Sequence, residues 1–264
     1  MKLLHTLTYL LLSYLVSAPS AADEVQLSAT TFSDGSHQYY HELLLRALEQ
    51  NGHQLSFDNI SDKSQQWITA SLRRGLLSIH WFLQTKERDE LFIPIKVNLT
   101  NGLIGNRVLL IPKNSQPIYD NISNLAEFRE LNLSSALGKN WYDAKVWKHN
   151  SLKYLEIVKW RNIYSMLESK NRGIDYFPRG VNEILPELRE HPNLEIEKNL
   201  VFSYDRDFIF YLAKSKSHLQ PIIEQSLLKA RDSGLMNTLI EHYWYENLSQ
   251  LNVKHRTPIL LKTP

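Results

Sequence analysis

Residues 25–57 read VQLSATTFSDGSHQYYHELLLRALEQNGHQLSF, and this stretch sets the architecture. Val25 to Ala29 alternates apolar and polar residues, the period-two pattern of a strand. Ser33, Asp34 and Gly35 form a polar turn. Tyr40, Leu43, Leu44, Ala47 and Leu48 then recur at three and four residues, one apolar stripe of a helix that Gly52 stops. His53 to Phe57 reads as a second strand. Beyond it, Trp67, Ile68, Ser71 and Leu72 share one face of a second helix, with Gly75 at its C-terminal end. Leu76 to Phe82 is a third strand, rich in bulky residues. The order β-α-β-α-β predicts a parallel sheet covered by helices.

The pattern changes downstream. Ile93, Ile95, Val97 and Leu99 alternate with polar residues, Asn101-Gly102 is a turn signal, and Val108 to Ile111 resumes as strand. An extended, half-buried ribbon of this kind predicts a crossover between two lobes. A second βα series follows. It has short helices around Leu125–Leu131, Trp141–Trp147 and Ile163–Leu167, and strands around Leu133–Leu137 and Leu152–Val158. A buried strand over Ile174–Phe177 is stopped by Pro178, and Leu194 and Ile196 lie in an edge-like strand. Phe208 to Leu212 is continuously apolar, as a central parallel strand would be. Two amphipathic helices separated by Ser233-Gly234 close the chain.

Composition narrows the function classes. Lys2, an apolar run through Leu10–Val16 and the small residues from Ser17 to Ala22 have the layout of a cleaved secretory signal spanning 1–22. The run is short for a membrane anchor. A formal charge of +2 with interspersed signs gives no electrostatic footprint for nucleic acid. The absence of cysteine excludes disulfides, a cysteine nucleophile and a lipid-modified cysteine after the signal. A soluble periplasmic monomer is expected, without metal or other cofactor. His37 and His41 stand one helical turn apart but lack a third ligand. There is no G-x-S-x-G, H-E-x-x-H or phosphate-binding glycine loop.

The segment Thr85-Lys-Glu-Arg88-Asp-Glu-Leu91-Phe92-Ile93-Pro94 carries the most information about a site. Three stretches accompany it: Gly102 to Leu110, Gly138-Lys139-Asn140-Trp141-Tyr142-Asp143, and Gly173 to Glu183 with Asp175 and Arg179. Together these resemble the family 3 periplasmic solute-binding proteins, which capture amino acids for ABC transporters, in a divergent branch. The likeness covers nearly the whole chain after the signal, each motif being loose.

The resemblance implies an α/β, two-lobed periplasmic-binding-protein-like fold of type II. Each lobe would be a mostly parallel sheet flanked by helices, the two joined by extended hinge strands. Residues 23–106 and 208–264 would form lobe 1, and 107–207 lobe 2. The implied activity is capture of a small anionic or amino-acid-like molecule, not catalysis, with a membrane permease or sensor as partner. In the family the arginine of T-x-x-R clamps the ligand carboxylate, which puts Arg88 at the site; a surface ion pair with Glu87, Asp89 or Glu90 is the other reading. Lys139 and Asn140 would sit at the loop where a helix N-terminus offers N–H groups to an anionic ligand. His80 and Trp81 end a strand facing the cleft, and Tyr40 could join Trp81 in covering a ligand, or both rings could simply pack. Ser78 stands where many relatives carry aspartate. Gly180, preceded by Arg179, stands where relatives place the aspartate that meets the ligand ammonium, so Arg179 would favour a second anionic group. Two other classes remain: an exported enzyme using carboxylates such as Asp175 and Glu183, and a protein that acts only through protein contacts.

Overall fold

The computed structural model describes residues 24–170 and 172–264, so the expected signal at 1–22 lies outside the described residues. The first series folds as its periodicity predicts: β1 (Glu24–Thr31), α1 (Gln38–Glu49), β2 (Gln54–Ser61), α2 (Gln65–Arg74) and β3 (Ile79–Leu83). The stripe of α1 is buried throughout, from Tyr40 through Leu43, Leu44 and Ala47 to Leu48. Ser64 caps α2 by accepting from Trp67 N, and Gly75 closes it in the left-handed conformation at φ 74°. A short α3 (Lys86–Leu91) and β4 (Ile93–Ile95) follow.

The chain then crosses over. Val97 and Leu99 are buried, and Asn101 and Gly102 both take positive φ, 49° and 81°, the pair of left-handed residues that an Asn-Gly turn supplies. The second lobe begins with β5 (Asn106–Pro112) and α4 (Leu125–Glu130), then β6 (Ser134–Gly138), α5 (Tyr142–His149), β7 (Lys153–Ile157) and α6 (Asn162–Glu168). It continues through β8 (Phe177–Gly180), α7 (Ile184–Glu190), β9 (Leu194–Ile196) and β10 (Leu200–Tyr204). The chain returns as β11 (Phe208–Leu212), α8 (Gln220–Asp232), α9 (Leu235–Leu251) and β12 (Thr257–Leu261).

In the first lobe β1 pairs with β2 in parallel, and Ser78 N–H donates to Ser28 O (3.1 Å), which sets the start of β3 beside β1. β11 lies between β3 and β4 and is antiparallel to both. The expectation of a central strand at 208–212 is met and that of a parallel one is not. A strand buried on both faces is apolar whichever way it runs, and this one runs backwards because the chain re-enters from the other lobe. Its alternate residues serve two cores. Phe210 and Leu212 join Ile79 and Trp81 against α1, α8 and α9, while Ile209 and Tyr211 join Phe82, Ile68 and Leu72 beneath α2.

The second lobe is a mixed sheet in the order β12-β10-β5-β8, with β9 also on β5. Asp175 N–H donating to Ser134 O (2.8 Å) brings the parallel pair β6-β7 alongside. Pro178 does not stop β8 but pairs with Leu109 inside it, because the fixed φ of proline suits an extended chain and only its N–H is lost. β12 pairs in parallel with β10, so the terminal strand sits on the second sheet and not, as the boundary 208–264 had it, with lobe 1. Ile259 and Leu261 fill the core around Phe202 and Trp147, which holds it there.

Candidate functional site

The two lobes are joined where the crossovers touch. Asp207, 3 % exposed, ties the second crossover to the first. Its carboxylate accepts from Thr100 N (3.1 Å), Thr100 Oγ1 (2.6 Å), Gly102 N (2.8 Å) and its neighbour Phe208 N (2.7 Å). A Cβ at Gly105 would lie 2.3 Å from Tyr204 O and 3.0 Å from Arg206 O, so only glycine lets the backbones approach this closely. Beside them Arg107 Nε donates to Asp143 Oδ1 (2.8 Å), which also accepts from Tyr204 OH (3.0 Å). Sequence reading named none of these hinge residues as functional, since each acts on a partner distant in the chain.

On the first lobe, a recess of about 240 Å³ opens at the carboxyl ends of β1 and β3, the place where open α/β sheets take ligands. Phe32, His80, Trp81, Phe82 and Phe208 line it, with Lys63, Gln65 and Ile68 from α2 and the turn before it. Trp81 and His80 are thus both in the lining of this recess. Tyr40 does not reach the recess; it backs Trp81, stacked at 4.4 Å and 14°. His80 Nδ1 bonds Thr30 Oγ1 (2.9 Å). Burial, then the charges of His41 and Arg88, pull its pKa down to about 3, so the ring is neutral.

The spacing T-x-x-R acquires a mechanical meaning here. Thr85 is the N-cap of α3, its Oγ1 accepting from Arg88 N (3.3 Å), so the motif fixes where the arginine leaves the helix. The Arg88 side chain folds back toward the recess wall: Nη1 donates to Leu83 O (2.5 Å), and the guanidinium lies 4.8 Å from the ring of Phe82. Among the described residues no carboxylate comes within 4.0 Å of it, Glu87, Asp89 and Glu90 included. Burial holds its pKa below the usual arginine value, with Tyr211 and Glu87 offsetting that only in part.

The opposite lobe differs from the expectation. Arg179 is 8 % exposed and is not a free cation. Its Nε and Nη2 grip Glu187 in a fork (2.7 and 2.5 Å), Nη2 also meets Glu183 (2.9 Å), and the rings of Trp141, Trp160 and Phe177 surround it at 5.1–5.2 Å. Burial alone would lower its pKa, but Glu183 and Glu187 outweigh it and hold it above the usual value. Arg179 stands in β8 and Glu187 in α7, so the pairing joins a strand to the helix after it and is not a helical i, i+4 spacing. Lys139 and Asn140 are exposed, and their backbone donors are occupied, Lys139 N by Ile157 O (3.0 Å) and Asn140 N by Glu156 Oε1 (3.2 Å). The indole of Trp141 folds onto Gly138, where a Cβ would come within 2.3 Å of the ring. That loop offers less to an anion than its sequence implied. Gly180 has its missing side chain replaced from outside: a Cβ there would lie 2.8 Å from Asn182 Oδ1 and 3.2 Å from Glu183 Oε2. Glu183, 45 % exposed along its side chain, contributes to raising the pKa of Tyr40 after burial, Tyr39 and Asp207. Asp175, by contrast, is structural, accepting from Ser134 N (2.8 Å). Lys145 and Glu87, both exposed, meet across the lobes at 3.8 Å.

No protein-family model matches the sequence, and no curated protein matches it. Solved structures do. An ancestral arginine-binding protein bound to arginine superposes with a TM-score of 0.56 at 13 % identity, over 85 % of this chain and 99 % of that one. An amino acid ABC transporter substrate-binding protein from Streptococcus pneumoniae, bound to L-arginine, gives 0.57 at 16 % identity over 84 % and 95 %. The GluR0 ligand binding core in complex with L-glutamate gives 0.56 at 14 % identity over 86 % and 100 %. The chain has the α/β periplasmic-binding-protein fold of type II.

Proposed function

We propose that this protein is a solute-binding protein that closes its two lobes over a small carboxylate-bearing, amino-acid-like molecule. It would work in the periplasm, handing the ligand to a membrane permease or reporting it to a membrane sensor. One observation carries the reading: Arg88 is a partly desolvated cation with no counter-ion among the described residues. Arg107 has Asp143, Arg179 has Glu187 and Glu183, and Arg256 has Glu197. Arg88 has one carbonyl and one ring, beside an aromatic recess. A carboxylate that reached Arg88, one side chain behind the recess at Phe82, would exchange a single neutral acceptor for a charge-assisted, bidentate pair, in surroundings that strengthen it. The aromatic lining suits a ligand with an apolar portion.

The test is thermal. The protein is melted with amino acids, keto acids, dicarboxylates and short peptides. A ligand at a hundred times its Kd adds about 2.7 kcal/mol, which is roughly 5–10 °C for a chain of this size. Arg88→Ala is expected to abolish that shift while the melting of the free protein changes by less than about 1 kcal/mol, because the bond lost is to a neutral carbonyl. A full shift retained in Arg88→Ala removes Arg88 from the site. No shift with any compound overturns the binding reading and favours a role through protein contacts.

A further inference from the structure

A second cavity among the described residues shares no lining residue with the recess on the first lobe. It holds about 580 Å³ and runs between the first crossover, Thr100 to Asn106, and the face of α9 that carries Asn237, Ile240 and Leu248. The turn Asn252–His255, which leads into β12, closes one end. Its volume falls in the range of small-molecule sites.

The lining has a chemical character. Leu103, Ile240, Leu248 and Val253 supply an apolar floor, and Tyr245 stands on the rim with 69 % of its surface open. Asn101, Asn106, Asn237 and Asn252 line it with neutral amides, and Thr100, Ser249 and Tyr245 with hydroxyls. Asn101 Nδ2 donates to Asn237 Oδ1 (2.5 Å) across the groove, which leaves Asn101 Oδ1 and Asn237 Nδ2 without a partner among the described residues. Asn252, held in the left-handed conformation at φ 49°, has no side-chain bond there either. The buried charge behind the groove, Asp207, is already saturated by four donors. Glu241 and Lys254, both exposed, are of opposite sign.

Amide groups donate and accept at once, which matches hydroxyls that do the same, whereas an ion would need a fixed opposite charge. An apolar floor with an open aromatic ring suits the C–H face of a pyranose. From this we infer that the groove between the first crossover and α9 is a second ligand site, for an uncharged, hydroxyl-rich small molecule of the mono- or disaccharide class. Bound there, such a molecule touches α9 of the first lobe and the segment that joins the lobes.

The full chain is titrated by calorimetry, with saturation-transfer NMR for weak binders, against glucose, N-acetylglucosamine, maltose and N,N′-diacetylchitobiose. At least one is expected to bind, with affinity falling about tenfold or more in both Tyr245→Ala and Asn237→Leu. These positions are exposed, so both variants fold. Arg88→Ala, which disables the cleft, leaves sugar affinity unchanged. The inference is overturned if no sugar binds at up to about 50 mM, or if affinity survives both groove substitutions. It is also overturned if Arg88→Ala removes the binding, which would put the sugar in the cleft.

Discussion

The imidazole of His80 should make this protein acid-labile by an amount the structure fixes. The ring is 5 % exposed and bonded to Thr30 Oγ1, with Trp81 stacked at 4.4 Å and Phe82 edge-on at 4.6 Å. Burial, followed by the charges of His41 and Arg88, lowers its pKa from 6.5 to about 3. The unfolded chain therefore takes up a proton below 6.5 that the folded chain refuses, so this stabilisation is complete above that value and is lost as pH falls toward 3. Between pH 8 and pH 5 the lost part is close to one and a half decades of proton binding, or about 2 kcal/mol. Urea unfolding followed by tryptophan fluorescence at several pH values measures it. His80→Asn removes the titrating group and leaves a polar atom for Thr30. The variant starts from lower stability because packing is lost, but its decline from pH 8 to pH 5 should be smaller than that of the unaltered protein by about 2 kcal/mol. His41, lowered to about 4 chiefly by burial and then by His37, titrates in both proteins and cancels. Equal declines in the two would refute the claim that position 80 is desolvated and neutral.

Two further substitutions test the hinge and the second lobe. Gly105→Ala drives a methyl group against Tyr204 O and Arg206 O, and should cost about 2 kcal/mol or more in denaturant unfolding; a neutral result would mean the crossovers are not in contact. Arg179→Ala strands Glu187, 19 % exposed along its side chain, and should cost about 3 kcal/mol or more. Arg179→Lys should recover only part of it, because an ammonium cannot reproduce the fork. Full recovery with lysine would show that charge alone matters there.

Much of the framework was legible. The stripe of α1, the cap at Gly75, the Asn-Gly turn and the break at Ser233-Gly234 are signals contained within a few residues, and each folded as read. Of the proposed site, His80 and Trp81 line the recess and Arg88 lies one side chain behind it. Tyr40 supports Trp81 instead of a ligand, Arg179 is neutralised by Glu187 and Glu183, and the loop at Lys139 and Asn140 has its donors occupied. Residue type told which groups can bind a carboxylate. It could not tell which had already found one.

Sequence alone settled which faces are buried and where elements start and stop, because side-chain periodicity and capping are read over a single turn or strand. It also settled the absence of disulfides and of any thiol chemistry, since no cysteine is present. Tertiary structure decided the rest. β11 runs antiparallel at the centre of its sheet, β12 joins the second lobe, and Asp207 binds a turn more than a hundred positions earlier in the chain. Strand direction and ion-pair choice depend on which distant segments meet when the core forms, and burial periodicity is the same for a strand run either way.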